Sequence, residues 1–242
     1  MANRTDPLVH SVHGTNPQYL VEKILRHRVY ENRYWKEQCF ALTAETAVDK
    51  AVALEYVGGT YSHNAKPTPF MCLLLKLLQI QPEKAIVVEY IKNEEFKYLR
   101  ALGAMYMRLT GRPVDVYQYL EPLLADYRIV VQRSTAGWSL TRMDEFVDAL
   151  LTQEVVCNVT LPRLPRRAVL EVSHSLPARV SALEDELDAL KEFIGTATAG
   201  PAAGVLTAAV VGGGAAARGA AAISAFATSP PRSEAAGEAG SA

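Results

Sequence analysis

Apolar side chains recur along this chain mainly at the spacing of an α-helix, and the densest stretch runs from Phe70 to Leu78 with Lys76 as its one polar residue. Thr68 and Pro69 come directly before it. A threonine can cap the free amides of a helix start, and a proline at the first helical position sacrifices no hydrogen bond. A helix that is apolar almost all round has to be buried. We therefore predict a central buried helix that begins at Pro69.

The same start and stop signals predict further helices. Asn16-Pro17 and Gln81-Pro82 each predict a helix start, and Asn93 predicts a cap for a helix that runs to Thr110 and is closed by Gly111. An apolar stripe of Leu20, Ile24 and either Leu25 or His27 continues the first of these helices. A helix capped by Thr43 and ended by the Gly58-Gly59 turn places Ala44, Val48, Ala51, Val52 and Leu54 inward. The remaining predicted helices are one from Asn32 to Cys39, one that begins at Pro113 and bends or restarts at Pro122, and one from Asp144 to Leu151.

One segment departs from the helical pattern. Residues 127–132 and 137–140 are rich in β-formers and flank the turn-prone Ser134-Thr135-Ala136. This arrangement is typical of two short strands joined by a tight turn. We predict a small β-hairpin at about residues 127–141. Pro162 and Pro165 then predict an extended crossing.

The C-terminal part of the chain has two different patterns. Apolar residues spaced alternately by four and three predict a short heptad helix at about residues 177–194. From about residue 196 to 242 the sequence is dominated by Ala, Gly, Ser and Thr. Such a composition has few bulky side chains to offset the entropy of ordering the backbone, so we expect this tail to be disordered.

Together these patterns predict a mainly α fold: a compact multi-helix domain over residues 1–195 with one small β-hairpin, followed by the tail. About 190 residues are enough for one buried core. The start of the chain is polar and gives no secretory signal, and no apolar run is long enough to cross a bilayer, so we expect no membrane contact.

The composition argues against several functional classes. The formal net charge is −1, so the protein is not a polycation that coats nucleic acid by charge alone. Cys39, Cys72 and Cys157 are widely separated and have no metal-binding spacing, which predicts reduced thiols, no metal and no cofactor. The histidines stand in no recognisable nucleophile or base signature. We therefore predict a protein that is not an enzyme.

Aromatic and basic residues alternate in two segments, and both suit an interface. Amphipathic rings and arginines are enriched where proteins bind one another, whereas the same residues can also stack on RNA bases. We predict a protein-binding scaffold, with direct RNA binding as the alternative. The candidate partner-binding residues are Tyr34, Trp35, Lys36, Phe96, Lys97, Tyr98, Arg100 and, on the heptad seam, Leu183, Leu187 and Leu190.

A longer pattern extends over nearly all of residues 10 to about 185. Its blocks occur in order and closely spaced, and they resemble the pre-mRNA-splicing factor 38 family. The blocks are HGTNPQYLVEKILRHRVYENRYWKEQCF from His13 to Phe40, AETAVDKAVALEYVGGTY from Ala44 to Tyr61, KPTPFMCLLLKLLQIQPEK from Lys66 to Lys84, EYIKNEEFKYLRALGAMYMRLTG from Glu89 to Gly111, YQYLEPLLADYR from Tyr117 to Arg128, MDEFVDALL from Met143 to Leu151 and LPRL from Leu161 to Leu164.

The resemblance implies a setting that no single motif indicates. It implies a non-enzymatic spliceosome component in the nucleus that joins the precatalytic spliceosome with the tri-snRNP and promotes its activation. It also implies two partners, a helical protein that resembles microfibrillar-associated protein and a zinc-finger splicing protein. Animal members of that family typically carry a long Arg/Ser-rich or acidic tail, which the Ala/Gly tail of this chain does not resemble.

Overall fold

The computed structural model describes Asn3, Thr5, residues 10–179 and residues 187, 188, 190 and 191. The chain divides into two units, Met1–Arg179 and Val180–Ala242. The four described residues of the second unit are helical. Most of the predicted heptad helix and the whole predicted tail lie outside the described residues, so the boundary near residue 195 stays a prediction.

The first unit is mainly α-helical, which confirms the predicted fold class. Two 3₁₀ helices, Pro17–Leu20 and Glu121–Ala125, supplement the α-helices. The α-helices are α1 (Lys23–Glu31), α2 (Arg33–Glu37), α3 (Thr46–Val52), α4 (Pro69–Ile80), α5 (Lys84–Lys92), α6 (Lys97–Thr110), α7 (Pro113–Leu120), α8 (Met143–Thr152) and α9 (Arg167–Val172).

Helix α4 is the centre of this unit, as its apolar run predicts. Thr68 caps it, because its hydroxyl accepts from the Met71 amide at 3.2 Å and donates to the Gly58 carbonyl at 2.6 Å. Residues from Phe70 to Gln79 are all buried. Helices α1, α2, α3 and α6 pack around α4. The cap at Thr68 and the helices packed around α4 therefore both support a buried helix that begins at Pro69.

The predicted hairpin is also confirmed. Strand β3 (Ile129–Ser134) pairs antiparallel with β4 (Gly137–Arg142) in a continuous register that ends in a two-residue turn. Val130 points into the core. On its other side β3 bonds to Val57, whose amide donates to the Val131 carbonyl at 2.9 Å and whose carbonyl accepts from the Arg133 amide at 2.8 Å. Within the described residues β4 is thus the outer edge of this sheet.

Two short strand pairs were not predicted. Strands β1 (Thr60–Tyr61) and β2 (Lys66–Pro67) pair antiparallel, as do β5 (Val155–Val156) and β6 (Val159–Thr160). The predicted Gly58-Gly59 turn does not end α3, which ends at Val52. The two glycines instead allow neighbouring backbone to pack closely against them. A Cβ on Gly58 would lie 2.1 Å from the Arg133 carbonyl oxygen, and a Cβ on Gly59 would lie 2.0 Å from the Cys157 carbonyl oxygen.

Two predicted helix starts differ from the structure for a local reason. Asn16 does cap, since its Oδ1 accepts from the Gln18 amide at 3.0 Å, but the turn that follows is 3₁₀. Val21 is extended and buried, so the helix restarts at Lys23 with a new phase. Ile24 is therefore 67% exposed, and Leu25 faces the core instead.

The second difference lies at Gln81-Pro82. Gln81 is left-handed, with φ of 54°, and ends α4 by donating its amide to the Leu77 carbonyl at 2.7 Å. The right-handed helical conformation is disfavoured for a residue that precedes proline, which explains why α4 ends here. Helix α5 then begins only at Lys84. Asn93 accepts from the Phe96 amide at 2.9 Å, and α6 begins one residue later.

We expect Leu74→Ala to lower the free energy of unfolding by ~2–5 kcal/mol, because Leu74 is completely buried in α4 and its truncation leaves a cavity. Chemical denaturation measures the change. The matched control is Leu140→Ala, at a side chain that is 72% exposed, where we expect less than about 0.5 kcal/mol. Equal effects of the two variants would contradict the central position of α4.

Candidate functional site

The first predicted contact cluster lies on α2. Asn32 caps this helix, since its Oδ1 accepts from the Tyr34 amide at 2.8 Å. Trp35 is buried, and its indole Nε1 donates to Asn3 Oδ1 at 3.1 Å. Tyr34 packs half-buried against the core, whereas Lys36 is exposed. Of the three predicted residues on α2, Lys36 is therefore the one most available to a partner.

A cavity of about 530 Å³ opens beside this cluster, where α1, α2 and α4 meet. Its lining includes the rings of Tyr30, Trp35 and Phe40 and the side chains of Lys36 and Lys76. The Tyr30 and Trp35 rings lie 5.4 Å apart, and Phe40 is 68% exposed. The cavity therefore combines aromatic walls with cationic side chains.

Lys76 is the one charged residue of α4 and contributes to this cavity. It is only 8% exposed. Its Nζ donates to Gln79 Oε1 at 3.1 Å and lies 5.8 Å from the centroid of the Trp35 ring. Burial lowers the pKa of Lys76. Among the described residues, no carboxylate forms an ion pair with it.

The cysteines are structural thiols. Cys39 lines the cavity, and burial raises its pKa to about 12. Burial also raises the pKa of Cys72, in the core, and of Cys157, in the turn between β5 and β6. A thiol that stays protonated at neutral pH is a poor nucleophile. Between residues 10 and 179 and in the other described positions, no group of His, Cys, Asp and Glu is arranged to hold a metal ion.

The second predicted cluster, on α6, connects that helix to the hairpin. Lys97 Nζ donates to the Ile129 carbonyl at 2.7 Å, and the Tyr98 hydroxyl accepts from the Val131 amide at 3.3 Å. Phe96 packs half-buried against the core. The polar groups of these side chains are therefore largely used within the fold.

Arg100 belongs to a buried ionic group. Its Nη1 donates to Asp126 Oδ2 at 2.6 Å and its Nε to the Asn93 carbonyl at 2.9 Å. Arg128 donates to both oxygens of Asp126, from Nε at 2.8 Å and from Nη2 at 2.6 Å. These Arg128 bonds, assisted by the Arg128 amide and Arg100, lower the pKa of Asp126 to about 2 although burial opposes the shift. Arg100 thus joins α6 to the segment before β3.

The third predicted set lies on the heptad seam in the second unit. Leu187 and Leu190 are each more than half exposed. Asp188, which follows Leu187 in the sequence, accepts a hydrogen bond from Lys191 Nζ at 2.7 Å. Leu183 lies outside the described residues. The partner-binding role of all three leucines stays a prediction.

The hairpin carries an exposed apolar face that the sequence pattern does not indicate. Trp138 and Leu140 are 59% and 72% exposed, on the face opposite to Val130. The Arg133 guanidinium lies 4.5 Å from the centroid of the Trp138 ring and 3.9 Å from that of Tyr61. The alternation of apolar and polar residues in β4 marks one face, but it does not indicate whether that face meets the core or solvent.

The structure defines a mainly α-helical domain in which Lys97 and Arg100, two of the charged side chains predicted to bind a partner, are bonded within the fold. Within the part of the chain that the structure describes, no helix is both long and apolar enough to cross a membrane. A family model described as the PRP38 family matches residues 10–174. The chain therefore belongs to the PRP38 family.

Similar proteins agree with this assignment. The chain is 64% identical over 189 residues to pre-mRNA-splicing factor 38A of Xenopus tropicalis and 61% identical over 189 residues to that of Homo sapiens. Each match covers 78% of this chain and 61% of the relative, so the chain spans about three fifths of the length of the curated relatives it matches.

A solved structure also matches the fold. It is the crystal structure of the Snu23-Prp38-MFAP1(217-258) complex of Chaetomium thermophilum. The match has a TM-score of 0.70 and 43% sequence identity, and it covers 78% of this chain and 99% of the matched chain.

We expect the Asp126 carboxylate to make stability depend on pH. Its pKa falls from 3.8 to about 2 on folding, so the folded state binds the proton more weakly and is favoured above the unfolded pKa. This contribution, about 2 kcal/mol, is complete above about pH 4 and is lost as the pH falls toward about 2. Chemical denaturation of the protein and of Asp126→Asn, compared from about pH 5 to about pH 2.5, measures it.

The difference in unfolding free energy between the two proteins should shrink as the pH falls. Asp148→Asn, at an exposed position of α8, is the matched control and should change stability by less than about 0.5 kcal/mol. A difference for Asp126→Asn that stays constant over this range would contradict the role of the ionised carboxylate.

Proposed function

We propose that this protein is a non-enzymatic, nuclear component of the spliceosome that acts as a protein-binding scaffold in pre-mRNA splicing. One observation carries the proposal. The chain matches almost the entire length of a family member that was crystallised together with two other proteins. The shared fold at 43% identity supports similar contacts for this domain.

The partners follow by analogy with that complex. We expect a helical protein that resembles microfibrillar-associated protein and a zinc-finger splicing protein that resembles Snu23. With them, the domain over residues 1–195 would join the precatalytic spliceosome with the tri-snRNP and promote its activation. We expect the Ala/Gly-rich tail over residues 196–242 to contribute nothing to the binding of these two partners.

The geometry favours protein partners over RNA. Binding to single-stranded RNA needs exposed cations along a groove and accessible rings. Here Arg100 is buried on Asp126, Lys97 bonds to the hairpin backbone, and Trp35 is buried. The aromatic and basic residues that make RNA binding the alternative are thus mostly engaged inside the domain.

The cavity at α2 and α4 is the contact site that we favour. Phe40 is exposed at its edge, and Lys36 stands beside it. Interfaces concentrate their binding energy in a few residues around well-packed pockets, with aromatic residues prominent among them. A partner segment that covers Phe40 would bury an exposed ring and close the cavity.

We expect Phe40→Ala to weaken binding of the partner segment by about tenfold or more, because an aromatic residue at an interface centre is a frequent hot spot. The segment is this organism's counterpart of the MFAP1 region 217–258 of the Chaetomium complex, and calorimetry with the full chain measures its affinity. Tyr127→Ala, at another exposed aromatic residue outside the cavity lining, is the matched control and should bind normally.

The same titration with single-stranded RNA separates the two functions. A protein contact made through apolar surface should depend weakly on salt, whereas RNA binding releases counterions and should fall steeply as salt rises. Sub-micromolar RNA binding at physiological salt, together with no binding of either partner protein, would reject the scaffold and favour the RNA-binding alternative.

A further inference from the structure

Lys76 is an unusual residue for the place it occupies. It is the one charged side chain of α4, the helix at the centre of the domain, and it is itself more than nine-tenths buried. Removing an ammonium group from water is costly unless an opposite charge compensates for it. Among the described residues, its bonded neighbours are the neutral Gln79 amide and the face of the Trp35 ring. Within the part of the chain that the structure describes, no carboxylate therefore pairs with this positive charge.

The surroundings of Lys76 are open rather than sealed. The side chain lines the cavity of about 530 Å³ together with Trp35, Lys36 and Phe40. A lysine that served only to fill space could be replaced by an apolar residue of the same length at no cost. A lysine beside an open cavity can instead receive a charged group from outside.

We propose that this cavity is a carboxylate-binding site, in which Lys76 pairs with an aspartate or glutamate side chain of a bound protein segment while Phe40 and Trp35 enclose its aliphatic part. This inference rests on the proposed scaffold function and names what the cavity recognises. The lowered pKa of Lys76 agrees with it, because burial disfavours the ammonium form until a carboxylate arrives to stabilise it.

A single carboxylate fits this site better than a phosphodiester chain does. Nucleic acid carries a charge at every nucleotide and is bound by a series of cations along a track. Among the described residues, the cations that line this cavity are the buried Lys76 and the exposed Lys36. An acidic side chain brings one charge on a short apolar stem, which matches one buried ammonium behind aromatic walls. Such a desolvated pair is strong because few water molecules screen it.

The first test uses the free protein and the variant Lys76→Met, which keeps the length of the side chain and removes its charge. An uncompensated buried charge contributes nothing to stability, so we expect the variant to resist chemical denaturation as well as the original protein or better. A clear loss of stability would mean that Lys76 has a structural partner in the free protein, and it would overturn the inference.

The second test is a double-mutant cycle with the counterpart of the MFAP1 region 217–258 as the probe. We expect Lys76→Met to weaken its binding by about tenfold or more, because one partner of a buried charge pair is then left alone. Replacing each Asp and Glu of the probe by Asn or Gln in turn should identify one position that weakens binding to the original protein by a similar factor. That replacement should have little further effect on Lys76→Met.

Lys92→Met is the matched control, since Lys92 is exposed at the end of α5 and does not line the cavity. It should bind the probe normally. If the original protein and Lys76→Met bind the probe equally well, the carboxylate site is refuted while the scaffold function stands. If the original protein binds neither this probe nor the zinc-finger partner, the scaffold function itself fails, and the inference fails with it.

Discussion

The burial of α4 is the constraint on which the rest of the first unit depends. Ten consecutive residues of this helix, from Phe70 to Gln79, are removed from solvent, so other elements must cover it on every side. At about 25 cal/mol for each Å² of apolar surface, such a helix is a major source of stability for a domain of this size. Thr68 fixes where the helix starts and, through the Gly58 carbonyl, holds the preceding loop against it.

Polar contacts set the arrangement of the elements farther from that core. The Asp126 carboxylate accepts hydrogen bonds from Arg100 of α6 and from Arg128, two residues further along the chain. The Asp126 carbonyl also accepts from the Asp144 amide at 3.0 Å, in the first turn of α8. The segment before the hairpin therefore joins α6 and α8 at one point. A charged group that sequence reasoning assigns to a binding surface is here part of the framework.

The sequence predicted the elements whose signals are local. The Thr68-Pro69 start and the β-formers on either side of the hairpin turn act within a few residues, and both are found in the structure. Asn93 accepts from the Phe96 amide instead of capping α6, because Phe96 is the residue that directly precedes this helix. The unpredicted strands β1, β2, β5 and β6 contain two residues each, too few for a pattern to mark them. The phase change at Val21 depends on burial against distant residues, which periodicity cannot indicate.

The candidate site was predictable only in part, for a similar reason. An aromatic and basic segment marks a surface or a core equally well, and only the tertiary structure separates exposed Lys36 from buried Trp35 and Arg100. Lys76 lies within the apolar run that predicted α4. From the sequence alone, it could be interpreted as a residue on a solvent-exposed side of that helix. Its isolation beside a cavity emerges only when α2 is placed against α4.

The contrast between Trp35 and Trp138 has a practical consequence for spectroscopy. They are the two tryptophans of the chain, one enclosed beside the cavity and the other exposed on the hairpin. An indole shielded from water emits at shorter wavelength than one in contact with it, so the intrinsic fluorescence is a sum of two distinguishable signals. A soluble quencher would reach Trp138 first and leave the emission of Trp35, which provides an optical reporter next to the cavity without any attached dye.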